Sequence, residues 1–111
     1  MTKIIWQKDV FRIIERPDEL YRIEDLKGDC FDPSIHDDID VEELKKQELS
    51  FENKVFNEGV FGYVLEKWNP EVDKGWETIE SCWGFVGAFN DQLNNHYIVN
   101  ELMIASLDYD N

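Results

Sequence analysis

Cysteine is scarce in this 111-residue chain, which holds only Cys30 and Cys82. Two are too few for the disulfide framework of a small secreted domain, and reduced thiols are the expectation. Long apolar runs are missing as well. The longest uncharged apolar stretch, Cys82 to Phe89, contains two glycines and falls far short of the ~20 residues that cross a bilayer. The first ten residues include Lys3, Lys8 and Asp9, so no signal peptide can be read there and a cytoplasmic protein is expected. Basic residues are outnumbered: 11 Lys and Arg face 25 Asp and Glu, a net charge of -14. That sign argues against direct binding of nucleic-acid phosphates or anionic membranes, both of which need clustered Lys and Arg. There is no glycine-rich phosphate loop, repeat or low-complexity segment.

What is present can build a core. The chain is 42% hydrophobic with 15 aromatic residues, unlike a disordered acidic tail, and at this length one domain is expected. Val10 to Glu15 is rich in branched and aromatic residues and reads as a strand, with a shorter one over Lys3 to Gln7. Arg16-Pro17-Asp18-Glu19 has turn chemistry, so Leu20 to Ile23 reads as a returning strand of a hairpin. From Glu24 to Asp40 apolar periodicity disappears and a long loop is expected. Asp40 can cap a helix whose first turn carries Glu42 and Glu43, and Gly59 can stop it after Glu58.

On that helix Val41, Leu44, Leu49, Phe51, Val55 and Phe56 fall within an arc of roughly 160°, a core-facing stripe interrupted by Lys45, Glu48 and Glu52, with Lys45 able to pair with Glu48. Val60 to Trp68 and Trp76 to Val86 form the strongest sheet signal, an antiparallel hairpin with a polar loop. Gly62, Gly84 and Gly87 mark bulges or the close approach of a ring. Asn90 or Asp91 can cap a last helix running to about Leu107. Its apolar residues, including Leu93, point in nearly every direction, so it is buried on several sides or meets another protein, and a dimer through this C-terminal helix is one expectation. A strand over Tyr97 to Val99 competes with it. The order of elements implies an α+β domain, a mostly antiparallel sheet of four to five strands with two helices on one face.

The residues that could carry chemistry give no catalytic pattern. Cys30, His36, Cys82 and His96 are soft metal ligands, but five residues separate the first pair and thirteen the second, unlike the close pairs of structural zinc sites. The acids Asp37, Asp38, Asp40 and Glu42 lack the glycine of a calcium loop. No metal or cofactor is assigned. Asp29 and Asp32 disfavour a thiolate at Cys30, while Cys82 reads as strand interior. A non-enzymatic protein is the expectation.

The acid is concentrated. From Glu24 to Glu43 there are nine acids, Glu24, Asp25, Asp29, Asp32, Asp37, Asp38, Asp40, Glu42 and Glu43, against Lys27 alone. Gly75 to Asn111 contains six acids and no Lys or Arg, whereas Leu44 to Glu58 balances three acids against three lysines. Duplex DNA presents roughly twelve phosphates per ~20 Å of axis, and a patch with a local net of -8 comes within about a factor of two of that density.

The pattern suggests an acidic protein-binding domain, a nucleic-acid mimic that inhibits a protein with a basic surface by occupying its groove. Glu24 to Glu43 would be the contact surface, with Trp68 and Trp76 as anchors beside the hairpin loop; most of the aromatic set is expected in the core between sheet and helices. In size and charge the chain is similar to small acidic phage or plasmid proteins that block restriction or CRISPR nucleases. That likeness implies a decoy of the same kind and, covering no motif, assigns no residues. The competing readings are an adaptor or structural interaction domain whose acid is only a solubilising face, and a small enzyme without a readable motif.

Overall fold

The computed structural model describes residues 2–36, 38–90, 92 and 95–109. Its elements run β1 (Lys3–Lys8), β2 (Phe11–Pro17), α1 (Ile23–Lys27), α2 (Val41–Glu58), β3 (Val60–Trp68), a single 3-10 turn (Asp73–Gly75), β4 (Trp76–Val86) and α3 (His96–Tyr109). The strands form one antiparallel meander in the order β1-β2-β3-β4. This is the α+β architecture that the sequence implies. The hairpin of β3 and β4 and the bounds of α2 fall where its signals place them, with Asp40 accepting a hydrogen bond from Glu42 N and Gly59 stopping α2 at a φ of +80°.

The first hairpin differs from the expectation. Its turn is Asp9-Val10, between Lys8 and Phe11, with Asp9 at a φ of +56°. Aspartate tolerates that left-handed conformation, but Asp-Val lacks the glycine that usually announces such a turn. Pro17 instead ends β2, where its missing N–H costs no ladder bond. Asp18 N then bonds Val60 O at 2.8 Å, and Leu20 to Ile23 does not return as a strand: α1 begins at Ile23.

Strand alternation sorts the core. On one face Phe11, Ile13, Tyr63 and Leu65 pack with Ile98, Val99 and Leu102 of α3. Ile14 and Val64 point to the opposite face and are buried too, so both faces of the central strand pair are covered. Leu44 and Val55, the buried residues of α2, lie outside the α3 cluster, and α2 reaches the sheet at β4. These contacts do not support the expected packing of both helices on one face. The expected 160° stripe on α2 is also divided, for Leu44, Phe51 and Val55 turn inward while Val41, Leu49 and Phe56 are exposed.

Two buried carboxylates are built into the sheet. Glu15, 5% exposed, accepts hydrogen bonds from Tyr63 Oη at 2.8 Å and from Phe89 N at 2.6 Å. Asn95 Nδ2 donates to Tyr63 Oη and to Gly87 O, so this cluster fastens the β4–α3 connection to the sheet. Burial is the main cause that pushes the Tyr63 phenol above its ordinary range. With Asn95 at a φ of +60°, α3 starts at His96, later than expected; Asp91 and Leu93 lie outside the described residues. Glu66 pairs with Arg12, whose Nε donates to Glu66 Oε1 at 2.7 Å.

Gly62 has a steric role. A Cβ there would sit 2.0 Å from the Trp83 ring, so its bare backbone is the seat of that indole, at a register shift of the β3–β4 ladder.

Candidate functional site

The acidic segment is a chain of tight turns held down by its few apolar residues. After α1, backbone N–H groups of Cys30, Asp32, Ile35 and Ile39 each bond the carbonyl three residues earlier. Asp32 Oδ1 accepts from Ser34 N and Oγ at 2.9 and 2.8 Å, and the Ser34 hydroxyl is the main cause that holds its carboxyl below the usual range. Leu26 docks on β4, its Cδ2 lying 3.4 Å from where a Cβ on Gly84 would be, and the Phe31 and Phe51 rings meet at 5.7 Å. Leu26, Phe31 and Ile39 are half-buried, Ile35 is exposed, and the acids face outward. Glu24, Asp25, Asp29, Asp32, Asp38, Asp40, Glu42 and Glu43 are all exposed; Asp37 lies outside the described residues.

The one lysine of this segment turns away from them. Lys27 Nζ donates to Glu52 Oε1 at 2.8 Å and stands 3.5 Å from Glu48 Oε2, its side chain only 19% exposed. The hydrogen bond to Glu52 is the main cause that raises its pKa. Glu48 is therefore bound to Lys27, in place of the Lys45 partner expected from helix spacing. Long-range pairing wins because α1 carries its ammonium onto the facing side of α2.

Trp68 and Trp76 do not join this surface. They pair directly at the loop end of the β3–β4 hairpin, edge to face at 5.3 Å. Trp76 is eight residues from Gly84, where Leu26 docks, a separation of about 26 Å along a strand. Trp76 is half-buried beneath the Arg12 guanidinium, 3.8 Å from its ring, whereas Trp68 is 46% exposed. Of the two only Trp68 is exposed, and it stands far from α1.

A groove of about 890 Å³ opens between β1 and α3, walled by Trp6, Phe11, Met103, Ile104 and Leu107, with Lys8 and Asp9 at one end. Its walls come from opposite ends of the chain, so no local pattern reveals it. The one available signal is the all-round apolar character of α3. Neither cysteine nor either histidine lines it. Among the described residues, no three His, Cys, Asp or Glu side chains converge to hold a metal ion, and no helix is long and apolar enough to cross a membrane.

Both thiols are free. Cys30 is exposed; Cys82 is half-buried, and burial, then Glu80 and Glu101, push its pKa up. Iodoacetamide near neutral pH is expected to label Cys30 well before Cys82, because the reactive species is an accessible thiolate. Peptide mapping of a labelling time course checks the order, and equal rates would contradict it.

Searches of protein-family models, curated proteins and solved structures found no match to this chain.

Proposed function

We propose that the protein is a non-enzymatic acidic binding domain that occupies a basic nucleic-acid-binding groove on another protein. The observation that carries this reading is the orientation of Lys27. Its ammonium is held by Glu48 and Glu52 of α2, which leaves the eight exposed acids from Glu24 to Glu43 without a free Lys or Arg in their segment. Their summed field steers a cationic groove toward the surface, as phosphates would. Restriction and CRISPR nucleases present grooves of this kind and are the partner class most suited to it.

The direct test measures displacement of a labelled duplex of about 20 base pairs from a basic nuclease by the full chain, followed by fluorescence polarisation. Displacement is expected to be competitive and to weaken steeply as salt rises from about 50 to about 500 mM, since screening shortens the reach of exposed charges. Reversing Glu24, Asp25, Asp29 and Asp32 to lysine is expected to weaken the complex by about 100-fold, chiefly in the association rate. A complex that ignores salt and still holds DNA overturns the reading.

One observation favours a second reading, an adaptor-type interaction domain: the apolar groove between β1 and α3 lies apart from the acids. In that case Ile104→Asp weakens binding more than the four reversals do.

A further inference from the structure

α2 carries two apolar strips, and the fold uses one. At 100° per residue Leu44, Phe51 and Val55 occupy about 40° of arc and pack inward. The second strip, centred about 100° away, holds Val41, Leu49 and Phe56, which are 47%, 59% and 86% exposed. Lys45 and Glu52 complete it, so the strip reads Val41, Lys45, Leu49, Glu52, Phe56, with successive steps of four, four, three and four residues.

That order is complementary to its own reverse. When a second α2 is laid antiparallel, Val41 meets Phe56, Lys45 meets Glu52, and the same pairs recur on the other side of a dyad close to Leu49. Such reciprocity is what a two-fold interface requires. We propose that α2 is a homodimerisation surface and that its occupant is the antiparallel α2 of a second copy.

Charge favours this site over the others. Two chains of net charge -14 repel, yet Leu44 to Glu58 is balanced, with Lys45, Lys46 and Lys54 against Glu48, Glu52 and Glu58. The antiparallel sense also separates the acidic starts of the two α2 helices by about 27 Å, several screening lengths at physiological salt. Pairing through α3 lacks this balance, because Gly75 to Asn111 has no base to offset its acids. Antiparallel pairing of two β1 edges over their full length sets Lys3 opposite Lys8, a like-charge pair. None of the nine acids from Glu24 to Glu43 lies in the strip, and the two readings share one residue, Glu52, which also holds Lys27; Phe56→Asp leaves that pair in place and so tests the dimer alone.

Sedimentation equilibrium of the full chain over about 1 to 500 µM is expected to show a monomer–dimer equilibrium. Phe56→Asp, at a position that contributes little to the monomer core, is expected to abolish it while leaving the far-ultraviolet circular dichroism unchanged. Lys45→Glu and Glu52→Lys are each expected to weaken self-association at least about 10-fold, and an equimolar mixture to restore it, because each charge then faces its opposite across the dyad. A wild-type chain that stays monomeric throughout overturns the proposal. So does a dimer that survives Phe56→Asp or is lost instead on Ile104→Asp. Folded single variants that fail to associate when mixed also overturn it. If Glu52→Lys does not fold after losing Lys27, Phe56→Asp decides alone.

Discussion

Replacing Glu15 with alanine is expected to lower the melting temperature by about 15 °C or more. Tyr63 Oη and Phe89 N both donate to the Glu15 carboxylate inside the sheet. Without it, two buried donors lose their acceptor at about 1–3 kcal/mol each, and in a domain of this size each kcal/mol moves the transition by about 4–8 °C. Relief from burying a carboxylate offsets only part of this, because that carboxylate is hydrogen-bonded twice. Glu15→Gln keeps one acceptor oxygen and is expected to lose less than half as much. Tyr63→Phe made in the Glu15→Ala background is expected to cost little further, since one donor of the broken pair is gone with it. Thermal melts by circular dichroism of the wild type, Glu15→Ala, Glu15→Gln, Tyr63→Phe and the double variant make the measurement. Additive losses from Glu15→Ala and Tyr63→Phe would contradict the coupling.

Arg12→Ala is the second large effect, expected to destabilise the fold by about 3 kcal/mol. Glu66 has a side chain only 10% exposed, and Arg12 Nε is its partner at 2.7 Å. Removing the arginine strands a nearly buried carboxylate and uncovers the Trp76 ring, a cation–π contact worth about 1 kcal/mol. Arg12→Lys keeps the charge but not the flat guanidinium, so it is expected to retain part of the stability and to shift Trp76 emission toward the solvent-exposed range. Removing both charges, as Arg12→Leu with Glu66→Met, is expected to recover most of the loss, because the desolvation of the pair disappears with it. Urea denaturation of the three variants checks the order. A double variant as unstable as Arg12→Ala would show that the ion pair is not the source.

These two effects mark a boundary of what an acidic sequence reveals. Twenty-five carboxylates look alike in the chain, and among the described residues Glu15 and Glu66 are the two that the structure buries. Alternation assigns Glu15 to the α3 face of β2, but the donors that make its burial tolerable come from β3 and from the segment before α3. No local pattern carries that information. The acidic surface was more legible, since a run of acids without apolar periodicity has little choice but to face water. Eight of its nine acids are exposed, and the ninth is Asp37, outside the described residues. The Trp68 and Trp76 pair was legible only as a hairpin end. Strand length alone then separates it from the acids, and Arg12, from another strand, covers half of it.

The chain determined by itself what depends on neighbours in sequence. The cap at Asp40 and stop at Gly59 set the bounds of α2, the two β-rich runs about the polar loop set the second hairpin, and the net charge of -14 set the kind of partner to consider. Only the tertiary structure decided where Lys27 points, which half of the α2 stripe is buried, and that a groove opens between β1 and α3. Turn and cap chemistry acts over a few bonds and can be read locally. The destination of a lysine, or the covering of a helix strip, depends on which surfaces long-range packing brings within a few ångströms.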